Sequence, residues 1–274
     1  MREMTLDEIK RCSFEALVYF DKVCRDNNLQ YFLCAGTMLG SVRHQGFIPW
    51  DDDIDVMMPR EDFERLLDVW PGNERYDLLN HKNTRNLPYA YSKLIDKRTV
   101  KIEPIRKSCR LIGVDIDVFP IDSLPDDEKE AEAFYEEIRI IQRKLHRHIS
   151  QFGKESGFFM TVKHNISVFL VRLGEAVSGN SVDKITGQFD ALAQKYNSAP
   201  TSYCEITAIS HYGVKERNPK TNYSHPVPVE FEGGEFPAPC GYEDYLTRLY
   251  GKDYMQLPPE EARITHHTYR AYWK

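Results

Sequence analysis

The segment Tyr31 to Pro59, YFLCAGTMLGSVRHQGFIPWDDDIDVMMP, constrains this 274-residue chain more than any other stretch. Tyr31 to Ala35 is an apolar run that reads as a buried strand ending at Gly36-Thr37. Met38, Leu39 and Val42 then give a short helical pattern, closed by Arg43 and His44, and Gly46 to Trp50 reads as a turn. The chain re-enters an extended run carrying Asp51, Asp52, Asp53 and Asp55. On a strand, side chains i and i+2 share a face, so the carboxylates of Asp53 and Asp55 converge. Two like charges held that close are costly unless a cation lies between them. Hard oxygen ligands suit Mg²⁺ or Mn²⁺, which keep waters and a substrate phosphate as their other ligands. The competing reading is a solvated acidic turn. The interleaved Ile54, Val56, Met57 and Met58 make the segment half-buried and favour the metal.

The residues before the acids fit an anion. Gly36 lets a phosphate approach backbone N–H groups that a Cβ would screen. The short helix after it presents its N-terminus to the same place. Thr37 adds a hydroxyl, with Ser41 one turn on as a second candidate. Arg43 and His44 are cations suited to a donor phosphate, Arg by its bidentate fork. For His44 the competing role is a buried, hydrogen-bonded histidine shaping the turn, and for Trp50 a core anchor is favoured over a substrate platform.

The order strand, Gly36-Thr37, helix, Asp-x-Asp resembles the nucleotidyltransferase superfamily. The string GTMLGSVRHQGFIPWDDDIDV is more specifically similar to the LicD family of phosphotransferases. That family includes bacterial enzymes that move phosphocholine from CDP-choline to cell-surface glycans of the lipopolysaccharide or teichoic acid kind, and the fukutin-related ribitol-phosphate transferases. The resemblance covers residues 29–122 well and 225–267 weakly. It implies a third carboxylate on a neighbouring strand, where IDVFP matches a family segment and selects Asp117 over Asp115 as metal ligand or base. Lys93 in YSKLID matches a lysine-containing segment and is implied to neutralise phosphate or leaving-group charge; as a surface-strand lysine it would need no role.

Thr5 to Glu8 reads as a capping box opening a helix that stops at Asn27-Asn28. Pro59 fits the first position of a second helix that ends at Pro71-Gly72. Tyr76 to Leu79 reads as a strand. Tyr89 to Asp96 reads as another, with Thr99 to Glu103 pairing to it as a hairpin across Asp96-Lys97-Arg98. Gly113 to Asp122 alternates as a strand, and Asp122 looks like a turn or cap residue. From Asp126 the pattern turns helical: 126–149, Phe158 to Val177 and Val182 to Asn197, broken at Gly153 to Gly157 and around 178–181. Thr201 to Ser210 is strand-like, Tyr212-Gly213 opens a loop, VPVEFEGGEFPAP suggests a hairpin turned at Gly233-Gly234, and a short helix stops at Gly251. Arg263 and His266-His267 could fold back on the site. The tyrosines at 242, 245, 250, 254, 269 and 272 could cage a quaternary ammonium, but their spacing does not require it.

A net charge of −6 and a pI near 5.9 exclude a general nucleic-acid binder, which needs a basic stripe. No signal peptide or stretch of 18 apolar residues is visible. The six cysteines, at 12, 24, 34, 109, 204 and 240, lack metal or disulfide spacing and point to the cytoplasm. The basic and aromatic helices after 126 also allow peripheral contact at the inner face of a membrane, with packing against the catalytic core the favoured reading.

These readings give an α/β (mixed α+β) fold: a nucleotidyltransferase-type mixed sheet flanked by helices, with an α-helical subdomain. Residues 1–125 form the catalytic core, 126–200 the helical subdomain and 201–274 a C-terminal segment packing back on the core. Asp53, Asp55 and Asp117 hold Mg²⁺ or Mn²⁺, Asp51 completes or supports the site, and Gly36, Thr37, Arg43, His44 and Lys93 cradle donor phosphates. By resemblance the donor is a CDP-alcohol, CDP-choline first, and the acceptor a glycan or lipid-linked glycan. A true nucleotidyltransferase, leaving a nucleoside monophosphate on a small molecule or protein, uses the same carboxylates. A silent scaffold of the same fold would bind no metal.

Overall fold

A computed structural model describes residues 1–102, 112–150, 152, 158–178, 181–209, 213–264 and 269–274, without the side chains of 175–178. The expected features at Glu103, Cys109, Gly153 to Gly157, Ser210, Tyr212 and His266-His267 lie outside the described residues.

The chain opens with β1 (Arg2–Glu3) and α1 (Leu6–Asp26). The Thr5 side chain accepts the Glu8 N–H while the Glu8 carboxylate accepts the Thr5 N–H, the reciprocal box that fixes a helix start. Ile9, Cys12, Ala16, Leu17, Phe20 and Val23 then fall on its buried side. Next come β2 (Phe32–Leu33), α2 (Ala35–His44), β3 (Asp55–Pro59), α3 (Arg60–Val69), β4 (Tyr76–Leu79), β5 (Ser92–Asp96), β6 (Thr99–Ile102) and β7 (Asp115–Leu124). Three helices follow, α4 (Glu128–Ile149), α5 (Phe158–Ser178) and α6 (Val182–Ala193). The C-terminal part holds β8 (Tyr203–Glu205), β9 (Asn218–Pro219), β10 (Pro226–Phe231), β11 (Gly234–Pro239), α7 (Tyr242–Tyr250) and β12 (Arg270–Trp273).

The central sheet runs β2-β3-β7-β5-β4, mixed because β3 and β7 are parallel and the other pairs antiparallel. β7 is its axis. Asp115 to Ile121 pair with β3 or β5, and its last three residues pair β8, which in turn pairs β9. α1 packs against β5 and β7, and α3 against β3 and β7, burying Leu17, Phe20, Phe63 and Leu66 with Val56, Leu94, Ile116 and Val118. The β10–β11 hairpin adds Phe231 and Phe236 to this core.

A second core joins α4 and α6 through Phe134, Tyr135, Ile138, Ile185 and Phe189, with Leu124 from the end of β7. Arg60 ties the two cores together. It bonds Asp122 at 2.8 and 2.6 Å and Asp190 at 2.9 Å. Asp122, expected as a turn or cap residue, is therefore buried within β7, where the Asn197 amide and Thr207 hydroxyl also donate to it. α5 packs against α4 with its apolar stripe turned outward: Phe159 is 86% exposed, and Val162, Ile166, Phe169 and Leu173 are exposed along the same face. Among the described residues no helix is long and apolar enough to cross a membrane.

The structure corrects several element boundaries. β3 starts at Asp55, so Asp53 precedes the ladder. Pro59 caps α3 instead of opening it. Tyr89 to Tyr91 lie before β5, α6 ends at Ala193, and among the described residues of the 201–210 run only Tyr203 to Glu205 is strand. The turn between β10 and β11 is Glu232-Gly233, both at positive φ, the conformation that a two-residue hairpin turn requires. The expected hairpin across Asp96-Lys97-Arg98 does not form. Asp96 donates its N–H to Val114, accepts the Thr99 hydroxyl on its carbonyl and holds Arg75 and Arg98 on its carboxylate. This turn sends β6 out of the central sheet to pair with β12, giving a separate sheet β1-β12-β6.

Candidate active site

α2 starts directly after β2, and Cys34 at its cap offers no side-chain bond to the first N–H groups. Ala35 takes φ 45°, a left-handed conformation unusual for a residue with a Cβ, and donates its N–H to the Tyr245 hydroxyl at 3.0 Å. A cavity of about 750 Å³ opens against this helix end. Gly36, Arg43, Asp51, Asp53 and Asp55 line one part of it, and residues of β8, β9, α7 and the following loop line the rest.

Asp51, Asp52 and Asp53 each offer an oxygen, all within 4.8 Å of one another. Asp55 follows at the head of β3. The Asp55 N–H donates to Thr37 Oγ1 at 2.8 Å, so Thr37 spends its hydroxyl on placing this acid. Gly36 has a comparable purpose: a Cβ there would lie 2.7 Å from Asp51 Oδ2. Its bareness makes room for a carboxylate.

The strand register sets the next residues. Asp55 pairs with Asp117, and Asp117 with Lys93, so the three stand abreast across β3, β7 and β5. Lys93 Nζ bonds Asp117 at 2.5 Å and Asp115 at 2.7 Å, beside the rings of Tyr89 and Tyr91. Lys101 holds the other Asp115 oxygen. Burial pushes Asp117 up to about 7 despite Lys93. Burial, then the charges of Asp53 and Asp117, drive Asp55 well above the usual carboxylate range. Burial opposes ionisation of Asp115 as well, but Lys101 and Lys93 reverse it and hold that carboxyl low. Burial would likewise discharge Lys93, but Asp115 and Asp117 keep it charged.

Two expected phosphate ligands have protein partners. Arg43 Nη1 donates to the carbonyls of Tyr254 and Gln256, at 3.0 and 3.2 Å, tying α2 to the loop after α7. His44 meets Trp50 edge-on at 6.4 Å, and the cavity wall takes in Arg43 and not His44. Burial and Arg43 lower its pKa, which keeps the ring neutral at pH 7. Ser41 donates to the Glu230 carbonyl, a bond that docks the hairpin. Lys101, Glu205, Glu216 and Asn218 were not singled out from sequence. They arrive on distant strands, helices and turns, and no local pattern marks them.

An acid-rich pocket thus lies beside a helix N-terminus, on a mixed sheet with helices packed against it. The description "LicD/FKTN/FKRP, nucleotidyltransferase domain" matches residues 28–145. The lipopolysaccharide cholinephosphotransferase LicD of Haemophilus influenzae is 31% identical over 282 aligned residues, covering 99% of both chains. Uncharacterized proteins of Rickettsia prowazekii and Rickettsia typhi match short segments, 47% over 49 residues and 50% over 44, which are 18% and 15% of this chain. The chain belongs to the LicD family of phosphotransferases.

Proposed function

We propose that this protein transfers phosphocholine from CDP-choline to a hydroxyl of a cell-surface glycan or its lipid-linked precursor. The carrying observation is the acid set Asp51, Asp53 and Asp55, which lines one cavity with the first turn of α2. The full-length likeness to a cholinephosphotransferase supports the choice of donor and of a lipopolysaccharide-type acceptor.

The donor set fits Mg²⁺ or Mn²⁺: the carboxylate oxygens of Asp51, Asp52 and Asp53 are closely spaced, and Asp55 is a fourth hard oxygen donor in the same cavity. Asp51, Asp53 and Asp55 would hold the ion, with Asp52 beside them, and when bound it supplies charge neutralisation at the donor diphosphate. The N–H groups of the first turn of α2 receive phosphate oxygens. The acceptor oxygen bonds to the choline-bearing phosphorus as the bond to CMP breaks. Asp117 takes the hydroxyl proton, and Lys93 fixes that carboxylate in place.

Five described cysteines are free thiols, in keeping with a cytoplasmic setting. The outward stripe of α5, beside the basic end of α4, is where we place contact with the membrane that carries the acceptor; pelleting with anionic vesicles should weaken in Phe159→Ser/Phe169→Ser.

The test is a thermal shift with Mg²⁺ or Mn²⁺ against CDP-choline, CDP-ribitol, CDP-glycerol, CDP, CTP, ATP and UTP, followed by product analysis. Metal-dependent stabilisation by CDP-choline beyond CDP, with phosphocholine on the acceptor and CMP released, is the expected result. Stabilisation by triphosphates alone, with a nucleotide on the acceptor, would overturn it.

A further inference from the structure

The cavity carries more negative charge than a metal-bound diphosphate site needs. Asp51, Asp53 and Asp55 stand at the α2 end, while Glu205, Glu216 and Asp253 line it elsewhere. Among the described residues that line it, Arg43 is the sole cation, and its Nη1 is engaged with two backbone carbonyls. An anionic donor entering such a space meets repulsion beyond the metal unless the donor itself brings positive charge.

The wall between these acids has the right surface for that charge. Tyr223 and Tyr245 line it with ring centroids 6.5 Å apart and planes at 71°, so two aromatic faces meet at a corner. Ala35 N–H binds the Tyr245 hydroxyl and fixes that ring against the start of α2, next to the phosphate end. Glu205 is only 2% exposed, and the Tyr135 hydroxyl donates to its Oε2 at 2.6 Å. Asn218, also 2% exposed, gives its amide N–H to the Glu216 carbonyl, while its Oδ1 is buried with no hydrogen-bond partner among the described residues. Carboxylates, a bare carbonyl oxygen and ring faces all attract a cation, and a neutral polyol, which can only hydrogen-bond to them, gains none of the charge–charge or cation–π attraction.

We infer that the Glu205–Glu216–Asn218 part of the cavity, cornered by Tyr223 and Tyr245, seats the alkylammonium head group of the donor and selects a cationic alcohol over a neutral polyol. This rests on the CDP-alcohol reading above. The sequence shows tyrosines without an arrangement. The fold brings together one from the turn before β10 and one from α7, and adds acids from β8 and the segment before β9.

The experiment is calorimetric titration of the full chain in Mg²⁺ with CDP-choline, CDP-glycerol and CDP, for the wild type, Glu216→Gln and Tyr223→Leu. Glu216 is only partly buried, so its variant tests the idea even where the Tyr223 replacement fails to fold. The wild type should bind CDP-choline about tenfold more tightly than CDP-glycerol. Either variant should bring that ratio close to one, through loss of CDP-choline affinity and not of CDP affinity. A ratio unchanged in the folded variants, or a wild-type ratio of one, would overturn the inference while leaving a CDP-alcohol donor standing. Binding of no CDP-alcohol beyond CDP by the wild type would overturn the donor reading, and the inference with it.

Discussion

Two groups of acids face the same end of the central sheet, and the fold treats them in opposite ways. Asp115 and Asp117 on β7 are matched by Lys93 and Lys101, which reach them from β5 and β6 at hydrogen-bond distance. Asp51, Asp53 and Asp55 line a cavity whose single lysine or arginine among the described residues is Arg43, already bonded to carbonyls. The first group is a closed, nearly neutral network, of the kind that is costly to break once buried. The second is held together against its own repulsion by the backbone, by Thr37 and by the missing side chain at Gly36. Charge that is compensated within the protein stabilises it. Charge crowded at a cavity wall lies where a ligand can reach it.

The sharpest way to break this contrast is to remove one acid from the open group. Asp53→Asn should lower turnover on the order of a thousandfold or more, because an ion lost from phosphoryl transfer leaves the diphosphate charge unmet. Its melting temperature without metal should stay equal or rise, since a repelling carboxylate is gone. A steep fall in melting temperature would make Asp53 a structural acid.

The closed group should respond in the opposite sense. Lys93→Met leaves Asp117 without its cation and Asp115 with one of two, and should cost about 3–5 kcal/mol in a urea titration. The double variant Lys93→Met/Asp117→Asn should recover part of that loss. An unchanged midpoint for Lys93→Met would remove the distinction between the two groups.

Gly36→Ala acts more gently. The added methyl would press on Asp51 Oδ2, so Mg²⁺ affinity should fall about tenfold by calorimetry while the melting temperature without metal holds.

The smallest effect is a dependence on pH. Asp55 and Asp117 have folded pKa values above their unfolded ones, so the folded state binds more protons between about pH 4 and the folded values, about 7 for Asp117. Stability of the metal-free protein therefore falls as pH rises through that window. Melting temperature should climb by a few degrees from about pH 8 to about pH 6. Saturating Mg²⁺ should flatten or reverse the slope, because the ion favours the ionised acids. An equal slope with and without Mg²⁺ would mean that the ion does not bind near the titrating acids.

The local code was readable wherever neighbours in sequence are neighbours in space. The capping box at Thr5, the strand at Tyr76 to Leu79, the helix stop at Gly251 and the alternation of Asp115 and Asp117 with Ile116 and Val118 all follow from short-range geometry. The hairpin across Asp96-Lys97-Arg98 looked equally local and failed. The competing partner of β6, β12, lies about 170 residues downstream, and no window of sequence contains both.

The sequence by itself determined that acids cluster after a glycine-started helix, that a second pair of acids sits on an alternating strand, and that the chain resembles the LicD family. It did so because strand periodicity, helix capping and motif spacing are properties of consecutive residues. Only the tertiary structure decided which acids have cations. Asp117 meets Lys93 through the β5–β7 register, and Asp115 meets Lys101 because β6 leaves the central sheet. Only it decided that Thr37, Arg43 and Ser41 spend their polar atoms on holding the chain, and that Tyr223, Tyr245 and Glu205 share a cavity. Coulomb energy and burial depend on distance through space, which the order of residues leaves open until the sheet has formed.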